Sequence, residues 1–95
     1  MKIRVKFVGF PDLRRILGGK EISVALEQGS FGELIRNLNS SYGASIREGL
    51  LDENGDVDQS VQVLINEQDW ISREDFSFRL SDGDRVTFLL MVAGG

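Results

Sequence analysis

The stretch Ser81-Asp82-Gly83-Asp84-Arg85-Val86-Thr87-Phe88-Leu89-Leu90-Met91-Val92-Ala93-Gly94-Gly95 decides how this chain is read. Ser-Asp-Gly-Asp is a turn: the Asp side chains can bond to nearby backbone N–H groups, and Gly accepts the positive φ that many turns need. Arg85 to Met91 then alternates, Val86, Phe88 and Leu90 opposing Thr87, Leu89 and Met91. Both faces are largely apolar, which suits a central strand covered on one side by a helix. The other side keeps Leu89 and Met91, and an uncovered apolar patch usually marks a partner surface. Val92-Ala93-Gly94-Gly95 follows. Two adjacent residues without Cβ make a slim, flexible end that a helix or strand interior would order only at a cost. Five extended residues reach about 17 Å. The expectation is a single unhindered carboxylate, on Gly95, held away from the domain.

Outward from that stretch, the 95 residues leave room for one small domain with one core. A composition 41% hydrophobic and 27% charged is that of a globular chain rather than a disordered one. Net charge is −4 and no Lys/Arg block occurs, which argues against a nucleic-acid partner, because that affinity rests on a basic footprint. With no Cys and no His, the chain has no disulfide, thiol nucleophile, imidazole base or Cys/His zinc site. Met1 to Lys6 alternates charged with apolar residues and so lacks the apolar core of a signal peptide. No apolar run approaches the roughly 20 residues of a membrane span, and a cytoplasmic protein with no membrane partner is expected.

Lys2 to Val8 has strict period two, with Ile3, Val5 and Phe7 on one face, and reads as a half-buried strand. Pro11 breaks it, and Leu13 to Leu17 predicts one helical turn before Gly18-Gly19. Glu21 to Leu26 alternates again and predicts a hairpin partner for the first run. Ser30-Phe31-Gly32-Glu33 has the form of a capping box. Phe31, Leu34, Ile35, Leu38 and Tyr42 follow at helical spacing, with Gly43 as the left-handed stop. A second short turn is expected between Ala44 and Leu51. The group Asp52-Glu53-Asn54-Gly55-Asp56 lacks the spacing and closing Glu of a calcium loop and reads as a turn, so no metal site is assigned. Val61 to Ile65 is a strand, Asn66 to Asp69 a turn, and Trp70-Ile71 is expected to return to the core edge. Asp82 and Asp84 are turn formers rather than an acid/base pair, and no catalytic residue is assigned.

Strand, strand, capped helix, strand, strand make an α+β domain of one main helix on a mixed sheet, the last strand pairing with the first in the middle. Leu80 to Phe88 followed by Val92-Ala93-Gly94-Gly95, supported by Leu13 to Glu21 and the capped helix, resembles the ubiquitin-like β-grasp sulfur carriers of the MoaD/ThiS family, to which the small subunit of molybdopterin synthase belongs. The resemblance covers essentially the whole chain. It implies a β-grasp domain over 1–91 and a functional tail over 92–95. Two departures are visible: Leu90-Met91 stands where the family often has a proline pair, and Asn66-Glu67 where it usually has Asn-Gly.

What the resemblance implies is a carrier rather than a catalyst. An adenylating activating enzyme, ThiF-like or ubiquitin-activating-like, uses ATP on the Gly95 carboxylate, and a sulfur donor converts the acyl-adenylate to a thiocarboxylate. The chain itself binds no cofactor. The sulfur is expected to pass to a molybdopterin synthase large-subunit-like acceptor; alternatively the activated Gly95 is joined to target-protein lysines. A third reading is a β-grasp interaction domain with an inert tail. Val8, Leu64, Leu89 and Met91 are expected to form the partner-docking patch beside the tail, each contributing up to roughly 1.5–3 kcal/mol before association costs. The competing expectation is that loops after Gly9 or Gly43 cover Leu89 and Met91.

Overall fold

The computed structural model describes residues 1–18 and 21–91. Its elements are β1 (Lys2–Val8), α1 (Pro11–Leu17), β2 (Glu21–Ala25), α2 (Phe31–Tyr42), α3 (Ala44–Gly49), β3 (Val61–Ile65), β4 (Asp69–Ile71) and β5 (Arg85–Leu90). The five strands form one sheet in the order β2-β1-β5-β3-β4. β5 lies parallel to β1, with Val5 opposite Val86 and Val8 opposite Leu89, and antiparallel to β3 on its other side. The expected central position of the last strand is therefore met.

Alternation sets which face each strand residue takes. Ile3, Val5 and Phe7 of β1, with Val86 and Phe88 of β5, lie at 2% exposure or less on the side covered by α2. Phe88 sits at the middle of the core. Its ring stacks on Phe7 at 5.5 Å between centroids and meets Phe31, the first residue of α2, at 6.2 Å. Helix spacing brings Leu34 and Leu38 to the same side, both at 1% exposure or less.

Every free N–H of the first turn of α2 has a partner. Glu33 N–H donates to Ser30 Oγ at 3.1 Å, Phe31 N–H to the Phe78 carbonyl and Gly32 N–H to the Phe76 carbonyl, both at 2.9 Å. Gly32 is needed for that close crossing, since a Cβ there would lie 3.0 Å from the Phe76 oxygen. Gly43, at φ 51, ends the helix as its sequence position predicted. The capping box, however, is half of the expected one. The Glu33 carboxylate passes over Ser30 and accepts the N–H groups of Glu27, Gln28 and Gly29 at 2.7–2.8 Å, gathering the β2–α2 connection around one side chain.

Those bonds, that from Glu27 first, outweigh desolvation and hold the Glu33 carboxyl below its ordinary range. A carboxylate with a depressed folded-state pKa stabilises above its unfolded pKa, and that contribution is lost as pH falls through the folded value. Glu33→Gln is therefore expected to lower the melting temperature at neutral pH and to flatten its fall between about pH 5 and pH 3, as scanned by circular dichroism.

Two expectations change. The turn after Pro11 is a seven-residue helix, with Pro11 at its first position, where a missing N–H loses nothing. Trp70 does not return to the core edge: it is 60% exposed. Ile71, next to it, carries that contact by packing on the core.

Candidate functional site

Among the described residues, no helix covers the face of the sheet away from α2. Pairing registers place side chains across it in rows. Trp70 stands opposite Leu64, Leu64 opposite Thr87, Thr87 opposite Lys6, and Lys6 opposite Glu21. In the next row Gln62 faces Leu89, and Leu89 faces Val8. Of the expected patch, Val8 and Leu89 are direct cross-strand neighbours, while Leu64 lies diagonally from Leu89, with Thr87 and Gln62 completing the square. Val8 is 39% exposed, and Leu64 and Leu89 are half-buried. Met91, one residue past β5, is 55% exposed, and its N–H donates to the Ser60 carbonyl at 2.8 Å. Met91 and Val8 are thus exposed, whereas Leu89 is partly covered.

Trp70, expected at the core edge, stands exposed on this face instead. Its place follows from the turn before it: once Ile65 pairs with Asp69, Leu64 must face Trp70. That turn is unusual. Asn66 and Glu67 both take left-handed conformations, φ 52 and 62, where the resemblance predicts Gly at the second position. The Asn66 side chain ties the turn to β5, accepting the Arg85 N–H at 2.8 Å and donating to Asp84 Oδ1 at 2.9 Å. Glu67 accepts the Thr87 hydroxyl at 3.1 Å, which satisfies a polar side chain that is 2% exposed.

Charge divides the face. Lys2, Arg4 and Lys6 alternate along β1, and Arg85 stands opposite Arg4. Glu21 is the nearest counter-charge. Its Oε2 lies 3.0 Å from Arg85 Nε, off the N–H direction, so the contact is an ion pair without an aligned hydrogen bond; Arg4 is 4.0 Å from Oε1. An apolar corner over β3, β5 and the end of β1 therefore adjoins a basic strip along β1, within a chain of net charge −4.

The other side of the β5 end has a small hollow of about 160 Å³ lined by Gly9, Phe10, Pro11, Asp12, Leu13, Gly49 and Leu90, mostly apolar with one carboxylate. The expected tail, Val92, Ala93, Gly94 and Gly95, lies outside the described residues. No helix among the described residues is long and apolar enough to cross a membrane.

Comparison with known proteins agrees with this architecture. Small archaeal modifier protein 3 of Haloferax volcanii is 30% identical over the full length of both chains. The sulfur carrier protein CysO of Mycobacterium tuberculosis is 31% identical over 93% of this chain and 96% of its own. In the crystal structure of the Amycolatopsis orientalis BexX/CysO complex, the matched chain is 26% identical with a TM-score of 0.70, covering 98% of this chain and 99% of that one. The fold is the ubiquitin-like β-grasp. The ThiS family model matches residues 9–95, nearly the whole sequence and the Gly-Gly end with it, and the chain belongs to the ThiS family of ubiquitin-like carriers and modifiers.

Proposed function

We propose that this chain is a sulfur carrier whose Gly95 carboxylate is adenylated by a separate ATP-using enzyme and then converted to a thiocarboxylate. One observation carries the reading: the family match runs through Val92-Ala93-Gly94-Gly95 to the last residue, so the tail is part of what is shared. A carboxylate is a poor electrophile because its charge lies on the carbonyl group. Attack of a carboxylate oxygen on the α-phosphorus of ATP expels pyrophosphate and gives a mixed anhydride with AMP as leaving group. A sulfide-level nucleophile then adds to the acyl carbon, AMP departs, a proton is released, and the acyl group ends as a thiocarboxylate. Gly95 has no side chain to hinder that carbon, and Gly94 keeps the preceding backbone narrow. The lack of Cys and His is consistent with a nucleophile and base supplied by partners.

The sheet face would dock those partners, through Val8, Leu64, Leu89 and Met91 as expected and through Trp70 in addition. Aromatic residues of this exposure dominate interface energetics when a partner covers them. Transfer to a molybdopterin synthase large-subunit-like acceptor is the destination that the resemblance favours. A second reading is conjugation of Gly95 to target-protein lysines, supported by the full-length similarity to a small archaeal modifier protein.

Intact mass of the chain recovered from its own host tests both. A gain equal to one oxygen replaced by sulfur supports the carrier. Covalent adducts to other proteins through the tail support the modifier. An unchanged mass after incubation with the host's activating enzyme, ATP and sulfur donor would overturn both.

A further inference from the structure

The two edges of the sheet are not alike. β4 is three residues long and carries Asp69 and the bulky Trp70, features that discourage further strand pairing. β2 is five residues long, Glu-Ile-Ser-Val-Ala, with neither Pro nor a bulge. Its hydrogen-bonding pattern follows from one pair. Met1 and Leu26 exchange both backbone bonds, the Met1 ammonium donating to the Leu26 carbonyl and the Leu26 N–H to the Met1 carbonyl, each at 2.9 Å. In an antiparallel ladder such pairs recur every second residue, so Val24 and Ile22 also face β1. The N–H and C=O groups of Glu21, Ser23 and Ala25 must then point away from the sheet. Beside Ala25, between it and α2, lies an open groove of about 450 Å³ that includes Arg36, Asn37 and Ser40.

We infer that the β2 edge pairs with β2 of a second copy of this chain, antiparallel about Ser23, to give a two-fold dimer with one continuous sheet. The sequence of the edge is self-complementary in that register. Ser23 exchanges both backbone bonds with Ser23 of the second copy, and Glu21 exchanges both with Ala25 on either side. Every outward group is satisfied, and no like charges oppose, since each Glu21 meets an alanine. Ile22 falls opposite Val24 and Val24 opposite Ile22 on the helix-covered side, where both are half-exposed in the single chain. A shift that set Glu21 against Glu21 would lose both the bonds and the charge balance. Such a contact is isologous and closes on itself, so it ends at a dimer. β2 is the edge strand farthest from β4, so Trp70 and Leu64 stay uncovered and each copy keeps its own docking face. The inference is independent of the chemistry proposed for Gly95.

The full chain has no cysteine, so a single Ser23→Cys substitution reports on the two-fold axis alone. The expected paired Cα separation of about 5.5 Å is within the range a disulfide spans. Under mild oxidation at about 100 μM, Ser23→Cys should form covalent dimer at least roughly ten times faster than Ser81→Cys, whose exposed turn lies elsewhere. Sedimentation equilibrium of the wild type should show reversible dimer by about 1 mM, as fits a small interface, and Ser23→Pro, which removes an outward N–H at an edge where Pro is tolerated, should remain monomeric with unchanged circular dichroism. A wild type that is monomeric at that concentration, with Ser23→Cys crosslinking no faster than Ser81→Cys, overturns the inference and leaves the edge to a strand from a different protein.

Discussion

A variant ending at Gly94 is expected to lose activation altogether while keeping its fold. Among the described residues, every member of the core lies at or before Leu90, and the Met91 N–H bonds the Ser60 carbonyl. Melting temperature should therefore match the parent. The carboxylate would still exist, one residue and about 3.5 Å nearer the domain, so a loss shows that position decides reactivity rather than the presence of a terminal acid. Gly95→Ala separates two causes: it restores the length and adds one methyl at the reacting end. Strongly reduced formation of acyl-adenylate, followed by pyrophosphate release with the host's activating enzyme, would mean that the acyl carbon must be unhindered. Normal release from the Gly94-ending variant would remove Gly95 from the chemistry.

The second large effect is on stability. Phe88→Ala should destabilise the chain by about 3–5 kcal/mol, because a fully buried ring packed on both Phe7 and Phe31 leaves a cavity that strand and helix cannot close together. For a domain of this size the melting temperature should fall by roughly 12 °C or more. Leu89→Ser, one residue further on, supplies the contrast. Its side chain is half-buried on the uncovered face, so the change should cost about 1 kcal/mol and act chiefly on partner docking. Urea denaturation of the two variants checks the pair. Equal losses would mean that the uncovered face is packed as tightly as the core.

The legible parts of the fold were those whose signal is periodic and local. Ile3, Val5 and Phe7, the spacing from Phe31 to Tyr42, and Val86 with Phe88 each announce one buried face, because burial repeats every second residue in a strand and every three to four in a helix. Ser30 and Gly43 marked the ends of α2 for equally local reasons. Glu33 was legible as a cap but not as the anchor of residues 27–29, since its extra partners depend on how the loop wraps. Of the candidate site, alternation assigned Val8, Leu64, Leu89 and Met91 to one face. It could not give their separation by Thr87 and Gln62.

By itself the sequence determined the element order, the core faces, the absence of thiol and imidazole chemistry, and a Gly-Gly end that lies within the family match. Only the tertiary structure decided the registers in which the strands pair, the place of β3 and β4, and hence which side chains share a surface. Trp70 is exposed beside Leu64 because the left-handed Asn66-Glu67 turn sets the register of β4, and Glu21 meets Arg85 because β1 places their strands two apart. The physical reason is range. Propensity and periodicity act within a few residues, whereas a sheet surface is assembled by hydrogen bonds between segments as distant as β1 and β5, and its composition exists only once they have paired.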